Sequence, residues 1–146
     1  MKRRLWMVLL AGVTGCDSIV ASEVEQELWN ALEIRSYQFT YTVSCFCGFV
    51  GPNPALITVQ DGAVTRVEYL PGSSGQGSYP TQGYPTVDSL FAIIERVQAR
   101  DPADLDVDFD DTYHFPRTIA VDYAKNAVDD EVTYSASGFK ILMAGP

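Results

Sequence analysis

Residues 37–47 read Tyr37-Gln38-Phe39-Thr40-Tyr41-Thr42-Val43-Ser44-Cys45-Phe46-Cys47, and their alternation decides the fold. Tyr37, Phe39, Tyr41, Val43, Cys45 and Cys47 share one face of an extended chain, while Gln38, Thr40, Thr42 and Ser44 take the other. A period of two with one apolar face is the pattern of a half-buried strand. Such a strand needs neighbours to pair with and a layer to cover its apolar side. The flanking sequence offers both.

Downstream, Leu56-Ile57-Thr58-Val59 and the run from Val64 to Tyr69 flank Asp61-Gly62, the dipeptide of a tight hairpin. Residues 71–85 are dominated by Gly, Ser, Pro, Gln and Thr, with Tyr79 and Tyr84 each before a proline, and read as a mobile loop. Aromatics on such a loop are candidate anchors for a partner. Thr86 is a candidate N-cap for a helix whose apolar stripe is Val87, Leu90, Phe91, Ile94 and Val97. Leu105, Val107 and Phe109 then alternate with Asp104, Asp106, Asp108 and Asp110, and further strands are expected at 117–123 and 131–142. Upstream, Ser22 and Glu25 form a capping box that opens a first helix, with Val24, Leu28, Ala31 and Leu32 as its apolar stripe.

The order is helix, three strands, helix, three strands. Strands without intervening helices pair antiparallel, which predicts an α+β fold with both helices on one face of an antiparallel sheet. Pro54-x-x-Ile57-x-Val59 echoes Pro116-x-x-Ile119-x-Val121, as a tandem helix-plus-three-strand repeat would. That architecture resembles the small β-lactamase-inhibitor or PepSY type, a likeness of fold that carries no function.

The chain has 146 residues, 47% hydrophobic and 12% aromatic, which suits one globular domain and argues against a disordered chain. Its net charge of −9 lacks the basic footprint of a nucleic-acid binder. Lys2, Arg3 and Arg4 precede the apolar run Leu5–Ala11, and Val13-Thr14-Gly15-Cys16 follows. Charge, short apolar stretch and small residues in that order make an export signal, too short for a permanent span of roughly 20 residues. The segment resembles a bacterial lipoprotein signal. The resemblance implies cleavage after residue 15, diacylglyceryl and palmitate-type acylation at Cys16, and a membrane-anchored protein in the bacterial cell envelope outside the cytoplasm. The expected organisation is a signal at 1–15, a lipidated tether at 16–21 and a single domain at 22–146. Loss of residues 1–15 leaves seven bases against nineteen acids, a net −12 that anionic lipid repels, so lipid rather than charge must hold the domain.

Tyr37-x-Phe39-x-Tyr41-x-x-Ser44-Cys45-Phe46-Cys47 and Ile57-x-Val59-x-Asp61-Gly62-x-Val64 resemble the bacterial family known as domain of unknown function 6174. So do Thr86-Val87-Asp88-x-Leu90-Phe91-x-x-Ile94, Phe115-Pro116-x-x-Ile119-x-x-Asp122 and Asp129-Asp130-Glu131. Membership implies a lipoprotein, in agreement with Cys16, and implies no activity.

Few residues offer chemistry. With Cys16 given to lipid, Cys45 and Cys47 remain, in a compartment that permits disulfides. On a regular strand residues i and i+2 lie further apart than the Cβ separation of about 3.8 Å that a disulfide prefers, so pairing needs a bend, which Gly48 offers. A structural disulfide, buried free thiols, and a redox or metal role are the three readings of this pair. The acids at 104–110 fit no helix-loop-helix calcium frame: counted from Asp104, positions six and twelve are Phe109 and Phe115. They read as the solvated face of an edge strand. Asp129-Asp130-Glu131 reads as a polar hairpin loop, and His114 has no Gly-x-Ser-x-Gly elbow to serve. The expectation is a non-enzymatic envelope module without cofactor or metal, held to the membrane through Cys16, with an envelope protein as partner. The alternative is a thiol or metal protein acting through Cys45 and Cys47.

Overall fold

The computed structural model describes residues 17–46, 53–74, 81, 83–125, 127 and 129–143. Helix α1 spans Asp17–Ala31, followed by strands β1 Tyr37–Cys45, β2 Asn53–Gln60 and β3 Ala63–Ser74. Helix α2 spans Val87–Gln98 and leads into β4 Asp104–Phe109, β5 Pro116–Asp122 and β6 Val132–Ile141. The strands form one open six-stranded sheet in the order β3-β2-β1-β6-β5-β4, with every pair antiparallel. This is the α+β fold expected from the pattern of residues 37–47.

The alternation in β1 is realised: Tyr37, Phe39, Tyr41 and Val43 are buried and the residues between them are not. Their register with Val59, Ile57 and Ala55 of β2 and with Ala136 of β6 carries the apolar face across the sheet. Helix α2 covers that face with Val87, Leu90, Phe91, Ile94 and Val97, all buried. Each such side chain taken out of water stabilises the fold by about 1.5–3 kcal/mol. Thr86 caps the helix, its side chain accepting from the Ser89 amide at 3.1 Å. The β2–β3 hairpin turns on Asp61 and Gly62, with φ of 50° and 79°. Two positive φ values are the requirement of the tight turn that Asp-Gly satisfies. On the far edge, Asp104, Asp106 and Asp108 of β4 face solvent while Leu105, Val107 and Phe109 lean on the core. Those carboxylates guard an unpaired strand edge.

The echoed segments fall on β2 and β5, the middle strands of the two three-strand runs. Both runs progress the same way across the sheet, from β4 to β6 and then from β1 to β3. Three antiparallel steps separate β1 from β4, so the first strands of the two runs point in opposite directions.

Helix α1 differs from its expected form in two respects. It begins at Asp17, so residues 17–21 are helical rather than a tether, and Ser22 is a buried residue within the helix rather than its cap. Asp17 and Ser18 are themselves residue types that favour helix starts. The expected apolar stripe is also the outer face: Val24, Leu28 and Leu32 are 48%, 42% and 42% exposed. Trp29 sets the rotation instead. Its indole Nε1–H donates to Asp88 Oδ1 at 2.9 Å, and its ring meets Tyr37 and Phe139 edge-on. The segment expected as a mobile loop is in part ordered structure: residues 71–74 continue β3, and Tyr84 and Pro85 are buried. Tyr84 packs edge-on to Tyr41, which gives that end of the segment an apolar partner. Tyr79 lies outside the described residues.

The Tyr37 hydroxyl, fully enclosed, accepts the backbone N–H of Val87 at 2.9 Å and so ties β1 to the first turn of α2. Tyr37→Phe removes the acceptor and strands a buried donor, a loss of about 1–3 kcal/mol. Thermal or urea unfolding should show this as a clear drop in midpoint; an unchanged midpoint contradicts the assignment.

Candidate functional site

Helix α2 buries one stripe, and the flank beside it carries Ser89, Ile93 and Arg96 at helical spacing, with Arg100 just beyond the helix end. This flank does not close onto the sheet. Between it and β1 and β6 lies a groove of about 600 Å³ walled by Tyr41, Val43, Tyr84, Pro85, Val132 and Tyr134. A second depression of about 220 Å³ shares Ile93, Arg96 and Tyr134 with the first and extends past Arg100 to Tyr123. The larger volume falls in the usual range for small-molecule sites, roughly 300–1,000 Å³.

The walls follow from the strand register. Val43 pairs with Tyr134 and Cys45 with Val132, so alternate residues of β1 and β6 present side by side beneath the helix flank. Asn53 fixes the other edge of β1: its carboxamide accepts from Val43 N at 3.1 Å and donates to Val43 O at 2.6 Å. Tyr41 and Tyr84 meet with ring centroids 6.4 Å apart and planes at 78°.

Burial pushes the Tyr41 hydroxyl above its ordinary range, with the neighbouring Tyr134 and Tyr84 adding to the effect. Burial also raises Tyr134, as does Tyr123, while Arg96 and Arg100 oppose the rise. Both hydroxyls therefore remain protonated donors at neutral pH. Arg100 stands over the Tyr123 ring at 6.0 Å, within reach of a cation–π contact. Arg96 donates through Nε to Ala92 O in its own helix. By contrast Arg117 is bound to Asp108 at 2.6 Å and Arg66 to Glu68 at 2.9 Å. Among the described residues, Arg96 and Arg100 have no carboxylate partner.

The residues singled out by sequence lie elsewhere. Cys45 ends β1, half-buried against the core, and is not a free thiol. Cys16 and Cys47 lie outside the described residues. Asp104, Asp106 and Asp108 are exposed on β4. Among the described residues no group of three or more His, Cys, Asp or Glu is placed to hold a metal ion. His114 adopts a left-handed φ of 63° in the β4–β5 loop, and its Nδ1 lies 2.8 Å from Glu25 Oε2 of α1. That contact joins a loop to a helix. Asp110 shapes the same loop by accepting from Thr112 N and Tyr113 N. Asp129, Asp130 and Glu131 fall in the connection between β5 and β6.

The Val87–Val97 stripe is buried as its spacing predicts, whereas Arg96, Arg100, Tyr123 and Tyr134 belong to no motif that marks them as site residues. The spacing of Arg96 and Arg100, off the buried stripe, was the visible signal. Their meeting with Tyr134 depends on the β1–β6 pairing, which no local pattern encodes.

Two comparisons, with curated proteins and with solved structures, give no match to the chain. A family model does match, over residues 21–141, and its description is a family of unknown function. No helix among the described residues is long and apolar enough to cross a membrane.

The tyrosines give the fold a pH limit. Tyr37, through burial, is pushed up to about 12, opposed by the hydrogen bond from Val87 and reinforced by Asp88, and Tyr41 is raised as well. Unfolded tyrosine ionises near pH 10, so these groups leave stability intact below about 10 and drain it as pH rises further. Unfolding midpoints should fall progressively above that pH. Midpoints that stay flat well beyond it contradict the burial of these hydroxyls.

Proposed function

For this chain, which belongs to the family of unknown function DUF6174, we propose the role of a lipid-anchored binding module of the bacterial cell envelope, non-enzymatic and held outside the cytoplasm. The observation that carries the binding part is the groove of about 600 Å³ beside α2, concave, aromatic-walled and open to solvent on one side. Nucleophilic catalysis of the triad type sets a nucleophile, a base and an orienting group within hydrogen-bond reach of one another. Among the described residues the groove's polar side chains are three tyrosines, Arg96 and Ser89, whose hydroxyl pairs with Thr86 Oγ1, and the chain's one histidine lies with Glu25 elsewhere in the fold.

Anchoring rests on the sequence. Lys2-Arg3-Arg4, the apolar run and Val13-Thr14-Gly15-Cys16 make the lipid attachment signal. The start of α1 agrees with it. The helix begins one residue after Cys16 and leaves Val24, Leu28 and Leu32 on its outer face, an arrangement suited to lying along a lipid surface. Apolar contact and acyl chains then act together against the repulsion that a net charge of −12 meets at anionic lipid. The same assignment pairs the remaining cysteines. Cys45 is not a free thiol, and with lipid assigned to Cys16 the reading gives it Cys47 as its disulfide partner.

Cys16→Ala should move the protein from the membrane pellet to the soluble fraction after a carbonate wash of the producing cells. Retention in the pellet as complete as that of the unsubstituted chain contradicts lipid anchoring.

A further inference from the structure

We infer that the groove beside α2 binds a small anionic amphiphile, an organic carboxylate with an apolar chain or ring, its carboxylate held by Arg96 and Arg100 and its apolar part laid against Val43, Ile93 and Tyr84. The inference rests on the reading of the protein as a binding module and names the class of ligand.

Charge is the first ground. The mature chain carries seven bases against nineteen acids, so two arginines that share one depression without an ion pair among the described residues mark a positive spot on an acidic chain. Arg66 and Arg117 have their acids, and Arg35 donates to the carbonyl of Asp61 at 3.0 Å. Arg96 and Arg100 stand one helical turn apart with none among the described residues, and both border the same depression. The C-terminal turn of a helix favours cations, which accounts for a base at Arg96 but not for a pair turned to one groove. Guanidinium matches carboxylate geometry through paired N–H donors, which makes the pair a ready anion clamp.

The remaining wall supplies the second ground. Beyond Arg96 the groove is lined mostly by Val43, Val132, Ile93, Pro85, Tyr41 and Tyr84, with Ser89 the one small hydroxyl among them. That surface has no charge and favours the burial of an alkyl or aryl group. Tyr134 lines both depressions and lies between the charged end and the apolar end. Its hydroxyl, neutral at physiological pH, donates to a carboxylate and accepts from a guanidinium. A ligand with one charged end and one apolar body uses both the arginine pair and the apolar wall. An inorganic anion leaves the apolar wall wet, and a neutral hydrocarbon leaves both arginines unpaired.

The test uses the full chain carrying Cys16→Ala, with decanoate as probe and decanol and acetate as controls, followed by backbone amide shifts in nuclear magnetic resonance. Decanoate should bind saturably, with shifts centred on Ile93, Arg96 and Tyr134, and at least tenfold more tightly than either control. Arg96→Gln with Arg100→Gln, both exposed positions whose loss leaves the core intact, should weaken decanoate at least tenfold and leave decanol unchanged. Ile93→Phe, which keeps both charges and narrows the apolar wall, should weaken decanoate too. Equal affinity for decanoate and decanol, or indifference to the arginine pair, overturns the ligand class and leaves a binding groove standing. Saturable shifts that lie away from the groove, or no saturable binding of any probe, overturn the inference. A tight response only to an acidic, aromatic peptide overturns it in favour of a protein ligand.

Discussion

The hydrogen bond from Val87 N to the Tyr37 hydroxyl is the constraint on which the rest of the structure depends. It is made in the core, between the first residue of a central strand of the sheet and the first residue of the helix that covers it. A helix start leaves amide donors without partners inside the helix, and one buried at the sheet face must find an acceptor nearby. Tyr37 provides it, and Trp29 then locks the second helix against the same point through Asp88. Four aromatic rings, Trp29, Tyr37, Phe39 and Phe139, lie in contact there. The aromatic cluster fixes one end of α2 over β1. The opposite flank of α2, with Ser89, Ile93 and Arg96, lies where the sheet is not fully covered, and the groove is the consequence.

Much of the fold was legible in the sequence because its signals are local. The alternation from Tyr37 to Val43, the Asp61-Gly62 turn, the Thr86 cap and the stripe ending at Val97 each depend on residues within a few positions of one another. All are present in the structure. Helix α1 shows where local reading stops. Val24, Leu28 and Leu32 make a good stripe on their own, but the face that a helix buries is chosen by its tertiary contacts, and Trp29 makes the stronger ones. Tyr84 shows the same limit: in a stretch of Gly, Ser and Pro it looked like loop, and Tyr41, more than forty positions earlier, gives it a place in the core.

The site was less legible than the fold. Cysteines, acid runs and a lone histidine draw attention because their chemistry is reactive. The residues that converge on the groove are tyrosines and arginines, whose roles depend on position alone. Arg96 comes from a helix, Tyr41 and Tyr134 from two strands adjacent in the sheet but some ninety positions apart in the chain. Only the β1–β6 pairing brings them together. Three of the acids, Asp104, Asp106 and Asp108, are exposed on β4, while Arg96 and Arg100 border the depression beside α2.

An intact mass of the mature protein, taken from the membrane with and without reductant, tests the account most directly. The account predicts a chain that begins at Cys16, heavier than its residues by the mass of a diacylglyceryl group and any N-linked acyl chain, and gaining the hydrogens of a single disulfide on reduction. A chain that begins elsewhere and carries no lipid contradicts it, and so does a lipidated chain whose mass is unchanged by reductant.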